Sequence, residues 1–414
     1  MIIDTYLKLI KKLFLLLFLF TISVSILGVG KNNNEYNGKI YENIYIENIN
    51  IGKLTIKEAN EKIKNNYKIK PIKIYYQNKE WIINSNDINL EYDIEKCIEK
   101  AYLYTRGEDL KENIKRKFNL KYKNPAYINL NASYDEGKLS SILNEISNEI
   151  NVSVKDATFT IKDNYQIITT DSEYGKEVDI IKLKEIIYNM INKKQIIDID
   201  LPVNIIKPKI STEDVKSINT VLGQYSTSFN DHTPRGTNIY VAGKSSSDIL
   251  IMPQEIFSLN KSTGARTWSK GYKTAKVIVG GKYVDGEGGG VCQVSTTIYN
   301  AALLAGMEIE EVHNHTYPSK YAPKGRDAAV SYGYTDFKFK NSYSHPIYIK
   351  NIVNNGVITS KIYGCKEDIQ RLYVKTDQKT LKDKINVRTY RIFLDEENNK
   401  IREELVSESN YKFK

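Results

Sequence analysis

The sequence predicts an α+β protein with an N-terminal membrane anchor, two α+β repeat modules, and a β-rich α+β catalytic domain that ends in a β-hairpin. Positive charge precedes an apolar run near the N-terminus. Residues 36–207 then repeat one order of helix, strand pair and Asp-capped helix. From Tyr225 onward Gly, Ser and Thr become frequent, and strand patterns alternate with turn signals.

Lys8, Lys11 and Lys12 stand before the apolar run from Leu13 to about Gly30. That order predicts an N-terminus inside and a chain that continues outside. The run is near the lower length limit for a spanning helix. No cysteine follows it to accept lipid. Ser25, Gly28 and Gly30 leave cleavage open, and an uncleaved single-pass anchor is the favoured reading. Residues 1–35 are therefore expected to be a cytoplasmic stub with a transmembrane or signal segment, and the rest to face outward from the cell membrane.

The 414 residues suit about three domains. The 60 Lys+Arg against 50 Asp+Glu give a net charge of +10. These charges are interspersed, and no basic stripe with stacking aromatics stands out, so nucleic acid is not an expected partner. A basic protein outside the cell is drawn to an anionic envelope. The three cysteines, Cys97, Cys292 and Cys365, form no disulfide framework.

The first module, 36–125, carries a helix from Thr55 and strands Ile72–Tyr76 and Trp81–Ile83. A second helix follows, with Asp93 as its N-cap. The second module, 126–208, carries a helix over Leu139–Ile150 and strands Ala157–Ile161 and Tyr165–Thr169, turned at Asp163-Asn164. Its second helix opens at Asp179. Neither module holds a histidine or gathers carboxylates, so both read as spacers or binding modules. Residues 209–365 open with a short helix, Thr212–Leu222, and hold all four histidines: His232, His313, His315 and His345. Gly280-Gly281 reads as a hairpin turn between Ala275–Val279 and Lys282–Val284. Residues 366–414 read as a terminal β-hairpin, with a strand at Tyr390–Leu394 and a turn at Glu396–Asn399.

Chemistry is expected at Gly288-Gly289-Gly290-Val291-Cys292. After the glycines, Val291, Val294, Ile298, Ala302 and Ala305 recur at helical spacing, and Gly306 sits where a C-terminal cap belongs. Cys292 then lies in the first turn of an amphipathic helix, where the free N–H groups and helix dipole favour a thiolate. Gly289, Gly290 and the N–H of Cys292 or Gln293 are candidates for an oxyanion site. A cysteine nucleophile needs a base and a group to orient it. Val312-His313-Asn314-His315 alternates as a strand, so both histidines would share one face, and either serves as the candidate base. Arg326-Asp327 supplies a carboxylate to orient an imidazole and a guanidinium to grip a substrate carboxylate.

Plainer readings compete. Cys292 could be a small buried hydrophobe, and Arg326-Asp327 an internal ion pair. His-x-His with Asp327 or Cys292 could hold zinc, although no paired-cysteine spacing or His-Glu-x-x-His helix supports it.

From Phe229 to about Gly364 the chain resembles the VanW family. The matching pieces stand in order: Arg235-Gly-Thr-Asn-Ile, Met252 to Asn260, Gly264-Ala-Arg-Thr, Gly271-Tyr-Lys-Thr-Ala, Gly288 to Asn300, His315-Thr and Gly325-Arg-Asp-Ala. Gln254 stands where the family usually has glycine, and Thr316 where it usually has serine. The upstream modules look like the peptidoglycan-binding repeats that often precede this domain, and the terminal hairpin like the family's usual extension. The resemblance implies L,D-transpeptidation, the joining of peptidoglycan stem peptides through 3-3 cross-links. The Cys292 thiolate would take the acyl group of a tetrapeptide donor, release D-Ala, and pass the thioester to a diamino-acid acceptor. His315 matches the family's histidine and is preferred over His313 as base, with Asp327 orienting it. The reaction so read calls for no cofactor and no metal. The His and Ser-x-Gly-Cys motif of the better-known L,D-transpeptidase fold is absent, so a shared activity would be convergent. A cysteine peptidase acting on stem peptides as an L,D-carboxypeptidase, and a non-catalytic wall-binding protein linked to glycopeptide resistance, are the alternatives.

Overall fold

The computed structural model describes residues 36–162, 166–279 and 282–413. The expected anchor at 1–35, the Asp163-Asn164 turn and the Gly280-Gly281 turn lie outside them. Among the described residues, no helix is long and apolar enough to cross a membrane. The architecture is mixed α and β, in two compact units: 36–152 with 176–205, and 153–175 with 206–413.

The first unit runs β1 (Ile44–Ile46), β2 (Ile49–Asn50), α1 (Ile56–Asn66), β3 (Ile72–Tyr76), β4 (Lys79–Ile83), α2 (Ile94–Leu103), α3 (Leu110–Tyr122), β5 (Ala126–Ile128), α4 (Glu136–Ile150), α5 (Ile180–Lys193) and β6 (Ile199–Asp200). Reciprocal hydrogen bonds between Thr55 and Glu58 start α1. One core gathers Ile40, Ile44, Ile63, Ile98 and Leu120. A second gathers Ile72, Ile74, Leu143, Ile187 and Ile191. The strand pair β3–β4 of the expected first module thus packs with helices α4 and α5 of the expected second. Parallel pairing of β3 with β6, Ile74 opposite Ile199, joins them. The cores do not divide at the expected 125/126 boundary, because β-pairing across more than a hundred residues leaves no local mark in sequence. Asp93 occupies the N-cap position of α2, but its side chain caps nothing. It accepts instead from the Asn131 amide at 2.6 Å and side chain at 2.9 Å. Asp179 does cap α5, accepting from Lys182 N at 3.0 Å.

The second unit takes in the other expected strand pair, Thr158–Ile161 with Ile167–Thr170. Phe159 meets Tyr348 edge-on at 4.8 Å, and Lys350 Nζ donates to the Ile161 carbonyl at 2.8 Å. The unit continues through α6 (Thr212–Ser217), β7 (Thr220–Ser228), α7 (Pro234–Ser245), β8 (Ile249–Ile251), β9 (Ile256–Ser258), β10 (Thr274–Val279), β11 (Lys282–Glu287), α8 (Val291–Leu304) and β12 (Glu308–Glu311). It closes with β13 (Lys338–Lys340), β14 (Ile347–Asn354), β15 (Val357–Gly364), β16 (Leu372–Thr380), β17 (Lys384–Leu394) and β18 (Lys400–Lys412).

Helix α6 stops at Ser217, short of the expected Leu222. The chain after it is rich in β-branched residues and pairs along β15 from Thr220 to Ser228. An antiparallel sheet of order β7–β15–β14–β8 forms the floor. Helix α8 lies directly on it: a Cβ at Gly223 of β7 would stand 2.4 Å from the Ala305 amide. The amphipathic reading of α8 undercounts its burial. Val291 and every residue from Gln293 to Leu303 are buried, the polar ones included. Thr297 pairs with Thr227 at 2.8 Å, and Asn300 donates to the Arg326 carbonyl at 2.8 Å. The expected terminal hairpin is β17–β18, with Asp395 accepting from the amides of Glu397 and Asn399 in its turn. It carries β16 as a third strand on the other side of β17.

Candidate active site

Gly290 caps the start of α8 with φ of 118°, a conformation that side-chain-bearing residues rarely adopt. This places Cys292 in the first turn, half-buried. The Val291 and Gln293 amides donate to the carbonyls of Gly288 and Gly290. The Cys292 amide meets no acceptor among the described residues. Its thiol stands 3.5 Å from both the amide nitrogen and the carbonyl of Val330.

His315 lies across the thiol. Its Nδ1–H donates to Asp327 Oδ2 at 2.5 Å, and its backbone amide donates to the same oxygen at 2.9 Å. That leaves Nε2 for Cys292, with the Tyr321 hydroxyl 3.5 Å away. The His315 side chain is 12% exposed and that of Asp327 only 1%. Asp327 is pinned in turn: the Ala328 amide donates to Thr296 Oγ1 of α8 at 3.0 Å.

The electrostatics make the pair act together. Burial alone would raise the Cys292 thiol, but the hydrogen bond and charge of His315, the Val330 amide and the Arg266 charge bring it below its ordinary range. Burial alone would lower His315, but Asp327 and Cys292 push it up to about 10. The favoured state is a thiolate beside an imidazolium.

The other predicted residues divide. Gly289 and Gly290 line the cleft with Cys292. Gln293 is a wall residue there, but its groups are committed. Its amide donates to Gly290 O at 2.9 Å, its Nε2 to Thr227 and Ser228, and its Oε1 accepts from Arg235 Nη2 at 2.7 Å. His313 and His315 do not share a face. Strand β12 ends at Glu311, and His313 turns away to bond Glu311 Oε1 at 3.0 Å with 45% of its side chain exposed. The chain bends there because Asn314 donates to Asn410 O of β18 while His315 is drawn to Asp327. The His-x-His zinc arrangement is therefore not assembled. Arg326 also lies away from the cleft. Its Nε donates to Asn300 Oδ1 at 2.7 Å, and its guanidinium sits 5.3 Å over Tyr225. Neighbours on extended chain point to opposite sides, so Arg326 and Asp327 cannot both face the thiol.

Sequence reasoning missed three groups. Tyr411, fully buried on β18, donates its hydroxyl to Asp327 Oδ1 and accepts from the Gly325 amide at 2.7 Å. Lys412 N donates to Thr316 O at 2.8 Å, so the terminal strand braces the loop that carries His315. Arg235 and Arg266 line the cleft. Both arginines stood in motif pieces read from the sequence, whereas no signal pointed to Tyr411. The cleft itself is about 1160 Å³.

A polar, thiol-bearing cleft on a helix start, backed by a buried His–Asp pair, has the parts that a cysteine nucleophile would need. Residues 234–363 match the family described as VanW like protein, and residues 81–199 the family described as "Putative peptidoglycan binding domain". Among curated proteins, YoaR of Bacillus subtilis (strain 168), itself uncharacterized, is 44% identical over 168 residues, 40% of this chain and 55% of that protein. The vancomycin B-type resistance protein VanW of Enterococcus faecalis (strain ATCC 700802 / V583) is 27% identical over 141 residues, 33% of this chain and 51% of that protein. The chain spans about half the length of these relatives. No solved structure matches. Residues 234–363 are thus VanW-like, and a stretch similar to a peptidoglycan-binding domain precedes them.

Proposed function

We propose that this protein is an extracytoplasmic cell-wall enzyme, an L,D-transpeptidase that forms 3-3 peptidoglycan cross-links through a thioester on Cys292. The observation that carries the reading is the hydrogen-bonded line Cys292–His315–Asp327 at the wall of an open cleft. The two family matches support a place at the cell wall. The apolar run near the N-terminus would hold the protein at the membrane with this cleft facing outward.

The Cys292 thiolate adds to the carbonyl of the third, diamino-acid residue of a donor stem. The oxyanion so formed meets the free N–H of Cys292 and those of Gly289 and Gly290. The His315 imidazolium gives its Nε2 proton to the departing amine, the carbon–nitrogen bond breaks, and D-Ala leaves. Neutral His315 then takes a proton from the acceptor amine as its nitrogen attacks the thioester. The new amide forms, and thiolate and imidazolium are restored. Asp327 keeps Nδ1 protonated and the ring oriented throughout.

Incubating the purified full-length chain with disaccharide-tetrapeptides, beside Cys292→Ala, tests the reading by mass spectrometry of the products. Cys292-dependent 3-3 dimers with released D-Ala are expected. Tripeptide without dimers would make the enzyme a carboxypeptidase that passes the same acyl group to water. Unchanged substrate from folded protein would overturn catalysis and favour a wall-binding role.

A further inference from the structure

The cleft beside Cys292 carries uncompensated positive charge. Among its described lining residues, Arg235, Arg266, Lys276 and Lys320 face a single carboxylate, Glu287. Lys276 is paired with Asp285 at 2.9 Å, and Arg235 gives its Nη2 to Gln293. Arg266 is the cleft guanidinium whose unmet donors are buried. Its Nη2 donates to Asn260 Oδ1 at 2.5 Å, while its Nε and Nη1 are enclosed and meet no acceptor among the described residues. The nearby carboxylate, Asp336, is already committed to the Ser258 hydroxyl and the amides of Asn260 and Phe337. Arg266 stacks 5.5 Å from Tyr332, and its stem lies against Gly288, where an added Cβ would come 2.8 Å from it. So this guanidinium stands beside the glycine run that leads into the nucleophile.

A buried cation with unmet donors is costly unless a partner arrives. The fork of an arginine matches a carboxylate with two parallel hydrogen bonds. We propose that Arg266 is the carboxylate-binding group of this cleft, turning its unmet donors onto an acyl donor whose free carboxylate lies a few bonds from the carbonyl that Cys292 attacks. The proposal rests on the acyl-transfer reading above and narrows it. The leaving residue must carry a free C-terminal carboxylate, as D-Ala does at the end of a tetrapeptide. An amidated terminus makes a poor donor. Arg326, to which sequence adjacency to Asp327 assigned the carboxylate, is not that group.

Alkylation of Cys292 by iodoacetate and by iodoacetamide tests this in the full-length chain. In both reactions the thiolate forms a sulfur–carbon bond and iodide leaves; the reagents differ in a carboxylate against a neutral amide. Their rate ratio cancels the thiolate fraction, which Arg266 also influences. Mass spectrometry of the Cys292 peptide gives the rates. The wild-type ratio is expected to exceed that of free cysteine and to fall about tenfold in Arg266→Gln. Arg266→Lys keeps the charge without the fork and should fall about threefold, which covers a misfolded Gln variant. An unchanged ratio in both variants, with Cys292 still labelled, overturns the carboxylate role and leaves the acyl-transfer reading standing. A Cys292 that neither reagent reaches in folded protein fails the acyl-transfer reading and takes this proposal with it.

Discussion

Two helix starts in this chain carry a cysteine near an aspartate, and the two thiols go opposite ways. In the first unit, Cys97 sits at the beginning of α2 and donates to Asp93 Oδ1 at 3.4 Å and to the Asn129 carbonyl at 3.3 Å. Burial first, and then the Asp93 hydrogen bond, push that thiol up to about 11. In the second unit, Cys292 is also desolvated, yet its thiol falls below the ordinary range. The difference is the partner. At Cys97 a carboxylate faces the sulfur directly, so ionisation would bring two negative charges together. At Cys292 an imidazole stands between thiol and carboxylate, so the Asp327 charge stabilises a cation, and the cation stabilises the thiolate. A helix N-terminus is common to both sites and does not decide the chemistry.

The sharpest break of this contrast is removal of the second thiol. Cys292→Ala should reduce formation of the cross-linked product by on the order of a thousandfold or more, because the acyl-enzyme cannot form. Product yield by mass spectrometry checks it, and retained turnover would move the chemistry away from Cys292.

Next comes Asp327→Asn, which should make Cys292 behave more like Cys97. Without the carboxylate, the His315 imidazolium gives up its proton more readily, and the thiol loses its stabilising cation. The sign follows for pH. In the wild-type protein the acid form of His315 persists until pH rises through about 10, and the thiolate persists below the ordinary thiol range. In the variant the alkaline limit of activity moves to lower pH, and labelling of Cys292 at neutral pH slows. Turnover should drop about a hundredfold. A pH–rate profile and pH-dependent labelling read both effects; an unshifted alkaline limb would show that Asp327 does not tune His315.

How far these contrasts can be read from sequence alone depends on distance along the chain. The glycine run and the spacing of Val294, Ile298 and Ala302 are local, and they placed Cys292 at a helix start. Asp93 and Asp179 sit at matching places in their segments, yet only Asp179 caps its helix. Which bonds a carboxylate makes depends on what packs beside it, here Asn131. His313 and His315 follow strand alternation in the letters, but hydrogen bonds to Asp327 and to the far strand β18 bend that strand away. Strand pairs exchange cores for the same reason, since β3 finds β6 only after the chain has folded back. Tyr411 lies 84 residues from Asp327, and nothing local to either announces the contact.

That long-range contact supplies a smaller test. Tyr411→Phe removes the hydroxyl from Asp327 and leaves the Gly325 amide buried without an acceptor, at a cost of about 1–3 kcal/mol. Turnover should fall about tenfold through kcat while KM holds, because the carboxylate is less firmly placed and the cleft is not altered. Thermal unfolding and steady-state kinetics measure the two effects. A stability loss with full turnover would reduce Tyr411 to a packing role.

The smallest effect is expected at the other cysteine, and it completes the comparison. Cys97→Ala deletes a buried thiol with two weak hydrogen bonds, so stability should fall by about 1 kcal/mol. Product formation should stay within about twofold of wild type, because Cys97 belongs to another unit and shares no partner with Cys292. Labelling at neutral pH should mark Cys292 and leave Cys97 unmodified in the wild-type protein, since the thiol at about 11 holds almost no thiolate there. If Cys97 labels as fast as Cys292, the imidazole is not what separates the two helix starts, and the chemical contrast between the units fails.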